Sequence, residues 1–309
     1  AAHQNSKKAI ELIVQANKLS PNNAEYLAQL AKQHSLISEH VQALKYVNLA
    51  AQCSPQTALT LDTIGVTYSQ IGLHEKAIQF FQEAVSLEKN HSFYFNLGVS
   101  QTFTGDFEGA RKSHQQVISF APDFCKSHTA LSALTKVTKD KNNIANLKLL
   151  YQKLTYSDDK LNIGHALARE YEALSNYNQA FECLQLSKKN KLKNINYDYN
   201  DDDEMLNSIN EYFSNTQHVS NKSIGHPSKE AIFVVGMPRT GTTLVERILS
   251  QHTDVTSAGE LEHFGLLLKK MSTSNTKRIL DADTVKAAKA IDFQKLGKSY
   301  LDSTRALTG

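Results

Sequence analysis

Along the first two-thirds of the chain, apolar residues recur at the three- and four-residue steps of amphipathic helices. The helical pattern is itself repeated. Its clearest unit spans residues 58–89 and carries Leu61, Ile64-Gly65, Tyr68, Gly72, Ala77, Phe81 and Ala84. The same positions return 33 residues later as Tyr94, Leu97-Gly98, Gln101, Gly105, Ala110, His114 and Val117, closed by Pro122. They occur 34 residues earlier as Leu27, Leu30-Ala31, His34, Ser38, Ala43, Val47 and Ala50, closed by Pro55. Ala9, Ile13, Ala16 and Pro21 match only the second half of a unit, so the array is expected to begin inside a repeat. A period of this length marks a stack of small supersecondary units.

The positions within a unit have physical reasons. Small residues such as Gly65 and Ala77 let two antiparallel helices approach closely, while Tyr68 and Phe81 fill the space between neighbouring units. The closing Pro or polar residue stops the second helix. After Pro122 the signature fades: residues 125–155 keep the length of a helical hairpin without its small residues. It returns at Leu167-Ala168, Tyr171, Ala180 and Leu184, predicting a further unit over residues 162–188. No unit buries its apolar faces alone, so neighbours are expected to fold cooperatively. The pattern resembles the tetratricopeptide repeat (TPR), which implies an α-helical superhelix and a protein or peptide partner in its groove. Repeats of this family that clamp a C-terminal carboxylate use Lys and Asn on the first helix. Here those groove positions hold Asp62, Val66, Phe95 and Val99, so that clamp is not supported.

A basic run at 188–193 and an acidic one at 198–204 follow. Met205, Ile209, Tyr212 and Phe213 have helical spacing, and Asp201 to Asp203 would sit at that helix's N-terminus, where the macrodipole favours acids. The acidic run lacks the central Gly and terminal Glu spacing of a calcium loop. Residues 214–229 are polar and include Gly225 and Pro227, which places a domain boundary there. The expected division is a repeat array over 1–190, a helical linker over 191–229 and a second domain over 230–309.

The chemistry concentrates after that boundary. Residues 231–235, AIFVV, predict a buried strand; Gly236 to Thr243, GMPRTGTT, follow at once; then LVERILSQH has helical spacing. Strand, glycine loop and helix form the context in which a phosphate-loop match has meaning, because loop N–H groups and the helix N-terminus point at an anion. A triphosphate loop would place Lys before the final Ser/Thr, where Thr242 stands instead. Arg239 inside the loop supplies a permanently charged fork suited to phosphate or sulfate. A phosphate-loop kinase is therefore disfavoured.

The stretch VVGMPRTGTTLVERILSQH resembles the 5′-phosphosulfate loop of sulfotransferases, in the branch that includes protein-tyrosine sulfotransferases; bacterial members of that branch carry an N-terminal TPR array. The resemblance is close over 231–261 and weaker over 262–309. It implies a partial α/β, P-loop-like domain using 3′-phosphoadenosine 5′-phosphosulfate (PAPS), with no metal. Pro238, Arg239, Thr240, Gly241, Thr242 and Thr243 would bind the cofactor, Arg239 contacting the phosphosulfate. Glu260, in the Gly-Glu pair of DVTSAGEL, would be the base that takes the acceptor's proton. Where the family often has His-Pro-Asp, this chain has His252-Thr253-Asp254. By comparison with the family the chain is expected to stop in mid-domain, with the 3′-phosphate and adenine contacts beyond Gly309. Two functions remain: PAPS-dependent sulfuryl transfer to a hydroxyl such as protein tyrosine, or a TPR scaffold whose second domain is incomplete and inactive.

Composition adds little. The net charge is +3, too small to argue for nucleic acid, but residues from 222 onward carry 13 Lys and Arg against 9 Asp and Glu, which suits an anionic small molecule. No apolar run approaches the roughly 20 residues of a membrane span. Cys53, Cys125 and Cys183 are too widely spaced for a disulfide framework or zinc site, so a reducing, cytoplasmic setting is expected.

Overall fold

The structure is a computed structural model and describes residues 2–195, 197–214, 225–272, 274 and 278–308. It divides into two compact units: Ala1–Ile37 with Gln42–Asn196, and Ser38–Val41 with Tyr197–Gly309.

In the first unit the 33–34-residue pattern becomes pairs of antiparallel helices. They are α1 (Ala2–Leu19), α2 (Ala24–Leu36), α3 (His40–Gln52), α4 (Ala58–Gln70), α5 (His74–Leu87), α6 (His91–Phe103) and α7 (Phe107–Phe120). Then come α8 (Cys125–Leu134), α9 (Ile144–Lys153), α10 (Ser157–Ala173) and α11 (Tyr177–Leu192). Asn23, Thr57, Asn90, Asp106 and Asn176 stand as N-caps whose side chains accept from first-turn N–H groups, so polar residues between apolar runs set the helix starts.

The small residues act as the pattern implies. A Cβ on Gly65 would lie 2.6 Å from the Phe81 ring, and one on Gly98 would lie 2.8 Å from His114 Nε2. Ala31, Ala43, Val47, Ile64, Ala77 and Phe81 form one core cluster, all but closed to solvent. A second cluster collects Leu147, Ile163, Leu167 and Tyr171, so the faded hairpin α8–α9 still packs on α10. Cys125 is buried, Cys53 and Cys183 half-buried, and all three are free thiols.

The second unit contains α12 (Tyr199–Ser214), α13 (Thr242–Leu249), α14 (His263–Ser272), α15 (Ala282–Ala287), a 3-10 turn (Ala288–Ala290) and α16 (Phe293–Thr308). The acidic start of α12 is held by cations of the same unit. Arg278 reaches Asp201 at 3.1 Å and Asp202 at 2.9 Å, Lys286 reaches Glu204 at 3.2 Å, and α12 packs on α15. The buried apolar residues here are few: Ala282, Val285, Ala288 and Leu296.

One expectation fails. Residues 231–235 are not a buried strand: among the described residues there is no β-strand. Ile232, Phe233 and Val235 are 61%, 62% and 86% exposed. A strand's backbone groups need a neighbouring strand, and no described segment supplies one. The α/β part of the expected fold is therefore not seen; both units, as described, are helical.

Candidate functional site

The glycine loop is built by local forces. At its base the Met237 carbonyl accepts from Thr240 N at 3.2 Å and from the Thr240 hydroxyl at 2.7 Å. That fold-back brings the Thr240 hydroxyl within 2.6 Å of where a Cβ on residue 236 would sit, so any side chain there would have to displace it. Gly241 then turns left-handed, φ 93°, and opens α13 without any side-chain cap. Leu244 N already donates to the Gly241 carbonyl at 2.9 Å, which leaves the Thr242 and Thr243 N–H groups with no described partner, the usual arrangement for receiving an anion. Arg239, exposed, is itself held at φ 69°. A non-glycine residue in that region stores strain, and such residues cluster at functional sites. Among the described residues no acid pairs with Arg239. The loop, the first turn of α13 and residues 232–235 border an open depression of about 370 Å³.

Glu260 lies on the exposed loop after Gly259, which has φ 67°. It makes no hydrogen bond or ion pair among the described residues, to Arg239 or to anything else. Pro238 to Thr243 are thus gathered by the loop, whereas Glu260 is not brought into direct contact with them. Its segment is nevertheless anchored. Ser257 Oγ accepts from Gly259 N at 3.2 Å and donates to the Glu246 carboxylate on α13. Glu246 and Ser257 were not singled out from sequence; a carboxylate inside an amphipathic helix looks like solvated surface. His252 Nδ1 accepts from Asp254 N at 3.2 Å, taking over part of the turn that a proline would stiffen. Among the described residues no group of three or more His, Cys, Asp or Glu could hold a metal.

Residues 231–306 match the model of the Sulfotransferase family. A Tetratricopeptide repeat model matches residues 60–91, the unit read most clearly from sequence. The sulfotransferase-family segment therefore begins with the glycine loop's leading residues and includes α13, Glu260 and most of α16.

A protein of Aquifex aeolicus (strain VF5) is 32% identical over 180 residues, which are 56% of this chain and 23% of that protein. The BBSome complex member BBS4 of Mus musculus is 27% identical over 130 residues, 42% of this chain and 25% of that one. The chain spans about a quarter of the length of these curated relatives. Among solved structures, MamA is 17% identical with a TM-score of 0.39 over 63% of this chain and 93% of MamA. YrrB, described as a TPR protein with an unusual peptide-binding site, is 12% identical with a TM-score of 0.39 over 59% of this chain and 84% of YrrB.

On the repeats, the groove position Asp62 is nearly buried and accepts from Asn96 Nδ2 at 2.9 Å. Burial raises its pKa, outweighing the Asn96 bond and Lys32. No described helix is long and apolar enough to cross a membrane.

Proposed function

We propose that the chain is a sulfotransferase that takes PAPS in the loop of residues 236–243 and moves its sulfuryl group to a hydroxyl, a protein tyrosine being the favoured class of acceptor. The observation that carries this reading is the loop itself: an uncapped helix N-terminus opened by a left-handed Gly241, beside an unpaired Arg239 and within a sulfotransferase-family match. In this reading the N–H groups of Gly241, Thr242 and Thr243 and the threonine hydroxyls hold the 5′-phosphate, with Pro238 stiffening the turn. The Arg239 guanidinium is the cation for the sulfate end, its planar fork matching the oxygens in pairs. PAPS supplies the sulfuryl group. The chain's own task is positioning and charge stabilisation, together with removal of the acceptor's proton. Glu260 is the proton acceptor in this reading; a base is needed because a phenol is a weak nucleophile near neutral pH. The repeats would present the protein that carries the acceptor.

Calorimetric titration with 3′-phosphoadenosine 5′-phosphate tests the site. Binding by the chain and its loss in Arg239→Ala support the reading; no binding by either overturns it. The exposed Ile232, Phe233 and Val235 favour a second reading, in which the repeats work as an interaction scaffold and the sulfotransferase-family segment is inactive. Nucleotide binding without transfer to any phenol would support that one.

A further inference from the structure

The irregular hairpin α8–α9 borders a cavity that the repeat pattern does not predict. Its volume is about 330 Å³, at the small end of the roughly 300–1,000 Å³ typical of ligand pockets. It lies between α7, α8, α9, α10 and the loop of residues 135–143, within the first unit. Its apolar walls are Ile118, Leu131, Val137 and Leu147.

One charged group lines this cavity from inside the fold. Glu170 on α10 is 4% exposed. Its Oε2 accepts from Asn143 N at 2.8 Å, supplying the start of α9 with the cap that Asn143's own side chain does not make. No described hydrogen bond reaches its other oxygen, which is not closed off from solvent, and among the described residues no basic side chain lies within ion-pair distance. A carboxylate oxygen left open at the wall of a cavity can accept from a cationic donor that enters it. Lys141 stands at the rim on the exposed loop and adds a like charge against any cation entering. A bare inorganic cation therefore gains little, and an occupant must also use the apolar walls.

The geometry points to a binding site for a guanidinium or ammonium group carried on an aliphatic stem, with Glu170 as the counter-charge. An arginine or lysine side chain of a partner protein and a free alkyl amine share that chemistry. The site is separate from the glycine loop and does not depend on the sulfotransferase reading.

The test is calorimetric titration of the full chain with n-butylguanidinium and with a blocked Gly-Arg-Gly tripeptide, against neutral n-butylurea. Saturable binding of a cation, absent for the urea, supports the site. Tighter binding of the tripeptide assigns it to a partner's side chain; tighter binding of butylguanidinium assigns it to the free alkyl cation. Glu170→Gln keeps an acceptor for Asn143 N–H and should weaken binding by at least about tenfold. Val137→Trp fills the cavity without touching the carboxylate and should abolish binding, which keeps the test decisive if Glu170→Gln fails to fold. Neither cation binding at tens of millimolar, equal binding of the urea, or unchanged affinity in Val137→Trp would overturn the inference.

Discussion

His114 lies over Gly98 where, one repeat earlier, Phe81 lies over Gly65. The substitution puts an imidazole, 1% exposed, into a helix–helix contact that a phenyl ring otherwise fills. Its Nδ1 sits 3.2 Å from the buried Ser127 hydroxyl. Burial pushes its pKa down to about 4, from an ordinary 6.5. The folded chain thus keeps His114 neutral while the unfolded chain protonates it. The stability linked to this group is complete above pH 6.5 and is lost as the pH falls towards about 4. The loss amounts to about 3 kcal/mol. Urea unfolding at pH 7 and pH 4.5 should show a smaller acid-side loss in the double variant His114→Phe/Ser127→Ala, which restores the Phe81 arrangement without stranding a hydroxyl. Burial also lowers His74 and His165, so some slope should remain.

Ser38, Gly72, Gly105 and Ser175 occupy one position in four repeats and all turn left-handed, with φ of 59°, 84°, 83° and 59°. The turn from first to second helix imposes this conformation whatever the residue. Nothing lies within 4 Å of a Cβ at Gly72, so Gly72→Ala should cost about 1 kcal/mol from the backbone alone. Gly65→Ala meets the Phe81 ring and should cost more, about 1–3 kcal/mol. Ser175→Gly should not destabilise. Chemical denaturation of the three variants decides the order.

Lys269 is mostly buried and pairs with Asp281, while its Nζ also donates to Thr284 Oγ1 at 3.2 Å. Asp281 in turn caps α15 through Thr284 N at 2.8 Å. Lys269→Met leaves a carboxylate without its cation in a unit with few buried apolar residues. It should destabilise that unit by about 3 kcal/mol, read as faster hydrogen exchange in α14 and α15 with α4 to α7 unchanged.

If Glu260 removes the acceptor's proton, Glu260→Gln should retain nucleotide binding and lose about 10²–10⁴-fold in turnover with a phenol acceptor. Arg239→Ala should lose both. A parallel loss of binding in Glu260→Gln would count against its role as base.

The Cys125 thiol is pushed up to about 12, by burial first and then by Asp159 and Asp123; burial also raises Cys183. Both should resist a disulfide reagent at pH 8 in the native state and react once the chain unfolds.

Much of this was legible along the chain because it is local. The recurring Gly65 and Gly98, the polar caps and the stops between helices are each read within one unit. The positions of α2 to α7 and of α10 and α11 follow, since a helix satisfies its own backbone. The glycine loop was legible for the same reason: Gly236, Arg239 and Gly241 make their turn by contacts within eight residues. The continuous apolar run at 231–235 misled because strand formation depends on residues elsewhere. Glu246 and Ser257 were missed because their bond spans a loop that the sequence pattern does not order.

The sequence by itself determined the repeat period, the close helix contacts and the residues available to bind an anion, because short-range sterics and backbone hydrogen bonding settle these. Only the tertiary structure decided that residues 231–235 stay unpaired, that His114 is held neutral, and that Glu170 lines a cavity. Burial and pairing depend on which distant segments meet, and that is a property of packing.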